Sequence, residues 1–222
     1  MKLPPQPTIR LRTKILLGIL AIASVGTYYI FINHGYLHTT RYDKGTLYYS
    51  FLRSGECELK IDGEINDPLI NAFDEVMKKA DHSGCSSYEL ELNSGGGNLA
   101  VALDLGNIIK MRKMTTVALN RCKSGCVYLF ISGEKRIASK HTVFGMHKGR
   151  NTKSGECATP NTVSKDDPSY FTDLQEYVVK RLGQKAGEFF TAKDNLAGCN
   201  EMLQIDNEEF QREGIINTLT DN

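Results

Sequence analysis

The chain has 222 residues, 41% of them hydrophobic and 24% charged, a balance that supports one substantial folded domain with room for an appendage. Acidic and basic residues are intermixed to a formal net charge of +1, with no basic stripe or arginine-rich face. That excludes a polyanion-binding surface, so no nucleic-acid partner is expected.

The appendage comes first. Lys2, Arg10, Arg12 and Lys14 precede an uncharged run over residues 15–32, ILLGILAIASVGTYYIFI, which is long enough to cross hydrocarbon as a helix. This predicts a single-pass signal anchor at 15–32, with residues 1–14 cytoplasmic and the remaining chain outside the cytoplasm, periplasmic in a bacterium. A cleaved signal peptide is the competing reading, because Ala21-Ile22-Ala23 offers small residues for processing. The apolar run continues through Tyr28, Tyr29, Ile30 and Phe31, which favours the anchor. Residues 33–54 read as a linker and a first strand near 46–52, and residues 55–222 as the folded domain.

Within that domain, ELKIDGEI (58–65) alternates as a half-buried strand does, with Leu59, Ile61 and Ile65 on one face. Residues 68–80 form an amphipathic helix through Leu69, Phe73, Val76 and Met77. YELELN (88–93) alternates again and runs into Ser94-Gly95-Gly96-Gly97, after which Leu99, Ala102, Leu103, Leu105, Ile108 and Ile109 supply the apolar face of a second helix. TTVAL (115–119) is a short strand, 127–131 a buried helix, 136–139 a turn, and TVFGMH (142–147) a strand. Residues 150–168 are polar and aperiodic, a long loop whose place beside His147 predicts a lid or substrate-binding role. A helix follows over 169–184, and MLQIDNEEFQREGII (202–216) closes with a short helix and a small apolar strand. The βαβαβ rhythm predicts an α/β fold with a mostly parallel sheet.

Six cysteines, Cys57, Cys85, Cys122, Cys126, Cys157 and Cys199, form an even set that in an oxidising compartment is bridged, with the pairing left open. Zinc is disfavoured, since no pair has C-x2-C spacing; Cys122 and Cys126 are spaced like residues one helical turn apart. No metal or organic cofactor is expected.

Chemistry converges on NRCKSGCVYLFISG. A serine ahead of an apolar helix is ordinarily an N-cap. Here Ser124 follows a strand with a glycine turn and precedes, by 23 residues, a strand that ends in His147. That order, with LNSGGGNL, CKSGCVYLFISG and VFGMHK at these spacings, resembles the Clp protease proteolytic subunit and its relatives in the Clp/crotonase superfamily. The S-x-C pattern with a preceding cysteine looks most like exported bacterial Clp-like serine proteases.

The resemblance implies a Clp/crotonase-like fold of repeated β-β-α units. It implies Ser124 as nucleophile, His147 as general base, and Gly97 and Gly125 as backbone donors to the oxyanion hole. Gly95 stands where those relatives carry proline. The family's acid falls before the closing segment, which gives Asp194 as the orienting carboxylate and Asn200 as the alternative. The expected partners are a polypeptide substrate, the membrane through the N-terminal helix, and further copies of the chain as a homo-oligomer. No double ring or ATPase partner carries over, because 150–168 replaces the relatives' ring-pairing segment.

A Ser-Lys dyad through Lys123 or Lys180 is a minor reading: adjacent helical side chains diverge, and Lys180 fits a polar helix face. Two further alternatives are a catalytically silent Clp-like protein binding peptides or partners in the same groove, and a crotonase-like thioester enzyme. Export disfavours the last by separating the chain from coenzyme A.

Overall fold

The computed structural model describes residues 38–52, 55–150, 155–157 and 170–221. The anchor segment at 15–32 and most of the 150–168 loop lie outside the described residues. Among those described, no helix is long and apolar enough to cross a membrane.

The fold is α/β, built on a seven-stranded sheet and a second sheet of three strands. β1 (His38–Tyr42) and β2 (Gly45–Phe51) form a hairpin that pairs antiparallel onto β3 (Glu56–Gly63). From β3 onward the large sheet is parallel, through β4 (Ser87–Asn93), β5 (Thr115–Ala118), β7 (Lys135–Ser139) and β10 (Thr218–Thr220). Period-two alternation sets which face is buried: Leu59 pairs with Leu90 and Ile61 with Leu92, all four buried, while Glu58 and Glu89 point outward.

α1 (Asp67–His82) starts with a proline in its first turn and buries Leu69, Phe73, Val76, Met77 and Ala80. α2 (Leu99–Met111) is capped by Asn98, whose side chain accepts from the Ala100 and Val101 N–H groups. The small sheet consists of β6 (Arg121–Lys123), β8 (Val143–Met146) and β9 (Leu203–Gln204). Short helix α3 (Gly125–Phe130) leaves β6; α4 (Tyr170–Leu182), α5 (Gln184–Leu196) and α6 (Asn207–Arg212) complete the chain. The rings of Phe130, Phe144 and Phe210 are fully buried, with centroids 5.0 Å apart for the first pair and 6.1 Å for the second. Burial of each ring contributes roughly 2–3 kcal/mol and fixes α3 and α6 against β8.

Several expectations are corrected. Residues 136–139 are strand β7, not a turn. Arg136 is buried, and its guanidinium donates to the carbonyls of Ile215 (2.7 Å), Gly133 (2.9 Å) and Gly214 (3.1 Å), so a charge that signals solvent in the sequence is here consumed by backbone acceptors. The helix expected over 169–184 is α4, which ends at Leu182 ahead of Gly183 at φ +81°, and a further helix, α5, follows that the sequence did not show. Cys122 lies in β6 rather than on a helix with Cys126. The cysteines pair as Cys57–Cys85, Cys122–Cys126 and Cys157–Cys199.

Candidate active site

Three chain segments meet where β4, β6 and β8 end. After β4, Ser94 forms an isolated parallel bridge to Cys122: its N–H donates to the Arg121 carbonyl and its own carbonyl accepts from Lys123, each at 3.1 Å. This pins the glycine turn to the strand that carries Ser124. β6 and β8 run parallel with Lys123 opposite Gly145, and the Ser124 N–H donates to the Gly145 carbonyl at 2.7 Å. His147 therefore follows one residue past the end of β8, on the edge where Ser124 leaves β6.

The glycines are required by space. A Cβ on Gly96 would lie 2.7 Å from both the Lys123 carbonyl oxygen and the Ser124 Cβ, and Gly96 has φ +101°. A Cβ on Gly97 would collide with the Ile65 backbone, which takes both faces of this turn: Ile65 N–H donates to the Gly96 carbonyl (2.9 Å) and its carbonyl accepts from Asn98 (2.8 Å). The Gly97 nitrogen lies 3.7 Å from the Cβ position of Gly125. Neither the Gly97 nor the Gly125 N–H donates to a backbone carbonyl among the described residues.

Ser124 stands at the N-cap position of α3 but makes no side-chain cap hydrogen bond. Its backbone accounts for the missing cap: φ +53°, ψ −127° is far from the extended conformation of a capping residue. A non-glycine residue held at positive φ costs roughly 1–3 kcal/mol and persists only where its surroundings impose it.

His147 is half-buried, and its Nδ1 lies 2.8 Å from the Lys148 carbonyl oxygen. A carbonyl only accepts, so Nδ1 donates to it and Nε2 is the ring nitrogen left for another partner. No hydrogen bond joins the Ser124 hydroxyl to His147 among the described residues. Asp194, in the last turn of α5, accepts a hydrogen bond from Tyr128 and feels the positive charges of Lys148 and His147. Burial nevertheless pushes its carboxyl up to about 6, the hydroxyl and the two cations opposing.

Asn200 faces elsewhere: it is exposed, and its side-chain oxygen accepts from Arg150. Lys180 is paired with Glu176 at 2.6 Å on an exposed face of α4, and Lys123 ends β6 with its stem packed toward Gly145. Sequence reasoning did not single out Tyr128 or Lys148. Tyr128 sits in the apolar run VYLF and reads as core; its signal was that a buried tyrosine hydroxyl needs a partner.

At this strand-to-helix junction stand a serine at positive φ, the backbone of Gly97 and Gly125, and His147, with the Asp194 carboxylate close enough to feel the histidine. The fold is Clp protease-like. It is similar to ClpP1 from Listeria monocytogenes (TM-score 0.59, 16% identity, over 74% of this chain and 91% of that one) and to a point mutant of the same ClpP1 (0.59, 17%, the same shares). It is also similar to a point mutant of 1510-N, a membrane-bound stomatin-specific protease (0.54, 16%, 73% and 78%). No protein-family model and no curated protein sequence matches the chain.

Proposed function

We propose that the chain is an exported, membrane-anchored serine peptidase acting through a Ser124 acyl-enzyme. The observation that carries this reading is the backbone of Ser124, held at positive φ beside the two N–H groups of Gly97 and Gly125. In the first step the Ser124 hydroxyl gives its proton to His147 Nε2 while its oxygen attacks the peptide carbonyl carbon. The negative oxygen accepts from the Gly97 and Gly125 N–H groups. Collapse breaks the C–N bond, and the leaving amine takes the proton from His147. Water, deprotonated by the same histidine, then hydrolyses the ester. Asp194 turns from Tyr128 to His147 Nδ1 as the orienting carboxylate, replacing the Lys148 carbonyl. Export and anchoring through residues 15–32 are supported by the apolar run and by three disulfides; a solved structure with this fold is a membrane-bound protease. A polypeptide substrate and self-association belong to the same reading.

A second reading, a catalytically silent peptide-binding protein, is favoured by two observations: Asp194 is bonded to Tyr128, and among the described residues no hydrogen bond joins the Ser124 hydroxyl to His147. Fluorophosphonate labelling of the full-length oxidised protein, mapped by mass beside Ser124→Ala and His147→Ala variants, decides between them. Labelling at Ser124 that disappears in both variants is the expected result. A folded protein that takes up no label at Ser124 overturns the peptidase and leaves the binder.

A further inference from the structure

The Cys122–Cys126 disulfide encloses the nucleophile. It joins the central residue of β6 to the second residue of α3, with Lys123, Ser124 and Gly125 inside the ring and 5.1 Å between the cysteine Cα atoms. Both cysteines are fully buried. The bridge is unusual in its reach: the other two close separations of 28 and 42 residues, this one only four. In the chain-entropy account, stabilisation of the fold grows with loop length, so a ring this short contributes least to global stability. Its effect is local.

That local effect falls on one torsion. The ψ angle of Ser124 orients the peptide plane that carries the Gly125 N–H, and φ +53°, ψ −127° is a conformation that L-residues leave when free. Two hydrogen bonds oppose relaxation on the strand side, Ser124 N–H to Gly145 and Lys123 N–H to Ser94. On the helix side Val127 N–H donates to the Ser124 carbonyl at 2.9 Å, in a helix of only six residues. The disulfide ties the two sides together across the strained residue. Resting on the serine-hydrolase reading, we infer that Cys122 and Cys126 are positioning residues for the reaction: their bridge holds the Gly125 N–H toward the oxyanion and keeps the Ser124 hydroxyl off the helix cap. Without the bridge, Ser124 relaxes toward an ordinary capping conformation, its hydroxyl satisfies the first turn of α3, and one oxyanion donor turns away.

The test compares full-length Cys122→Ala/Cys126→Ala with Cys57→Ala/Cys85→Ala and wild type. Three quantities are read: the second-order rate of fluorophosphonate acylation at Ser124, the thermal midpoint, and the Gly125 amide signal in 15N-glycine-labelled protein. The expected result is a folded Cys122/Cys126 variant with a small change in midpoint, a shifted Gly125 amide, and acylation slowed on the order of a hundredfold, the loss of one oxyanion donor. The Cys57/Cys85 variant should show the reverse, a lowered midpoint with acylation within about twofold of wild type. Unchanged acylation in the Cys122/Cys126 variant overturns the inference, and so does a variant that fails to fold, since that makes the bridge a support of the whole core. If wild type itself takes no label, the hydrolase reading falls, and the brace is judged by the Gly125 amide alone: shifted supports it, unmoved refutes it.

Discussion

Asp194 provides the sharpest quantitative handle on the site. Burial raises its carboxyl from the ordinary 3.8 to about 6, so the folded protein holds a proton that the unfolded chain releases. Between those two values the native state binds more protons than the unfolded state, and stability therefore falls as pH rises, then stays level above about 6. The raised group is an acid, so its contribution is unfavourable when ionised: about two pH units at about 1.4 kcal/mol each, or roughly 3 kcal/mol at pH 8. Replacing Asp194 by Asn keeps an acceptor for the Tyr128 hydroxyl and removes the charge. Urea unfolding of wild type and Asp194→Asn at pH 4 and pH 8 measures the difference, and comparison between the two pH values cancels effects common to both. The variant is expected to gain roughly 3 kcal/mol on wild type at pH 8 and well under 1 kcal/mol at pH 4. Equal changes at both pH values, or a variant less stable at pH 8, would refute the placement of Asp194 as a carboxylate held in a desolvated site.

Related perturbations separate the other parts of the site. Ser124→Gly relieves the positive φ and should raise stability by about 0.5–1 kcal/mol relative to Ser124→Ala, read as a midpoint higher by roughly 1–4 °C. Gly96→Ala places a methyl 2.7 Å from Ser124 at φ +101°, and should lose roughly 2–4 kcal/mol in denaturant unfolding together with labelling at Ser124. Tyr128→Phe removes a hydrogen bond that favours ionised Asp194; the carboxyl titrates higher than about 6, and the acidic limb of the acylation profile moves to higher pH.

The sequence showed what repeats with a period and hid what depends on long-range partners. β3, α1, β4 and α2 were legible because alternating Leu59 and Ile61, helically spaced Phe73 and Val76, and the apolar face of Leu105 and Ile109 each carry a local signal. β7 was hidden by Arg136, whose polarity is absorbed by carbonyls of residues 214 and 215, far along the chain. α5 was hidden because KAGEFFTAKDNL shows no apolar stripe; the residues it buries, Ala186, Gly187 and Phe190, include two of the smallest side chains. In the candidate site, that Ser124, His147 and the glycine turn end neighbouring strands was legible in their order and spacing, while the roles proposed for them rest on the resemblance. The Tyr128 bond to Asp194 and the reach of the Cys122–Cys126 bridge followed only from the assembled fold.

Two costs coincide at this one edge of the molecule. Ser124 is held in a conformation that L-residues avoid, and Asp194 is held where its ionised form is disfavoured; each lowers stability, and neither is needed to bury the core, which Phe130, Phe144 and Phe210 close nearby. A groove that only bound peptides would bind as well with an ordinary turn at residue 124 and a neutral side chain at 194. A nucleophile needs its hydroxyl off the helix cap and its neighbouring N–H groups unspent, and a general base needs a carboxylate poised to follow its charge. Under the proposed reading, strain at the serine and desolvation at the aspartate answer those needs, which is why the peptidase is proposed ahead of the binder.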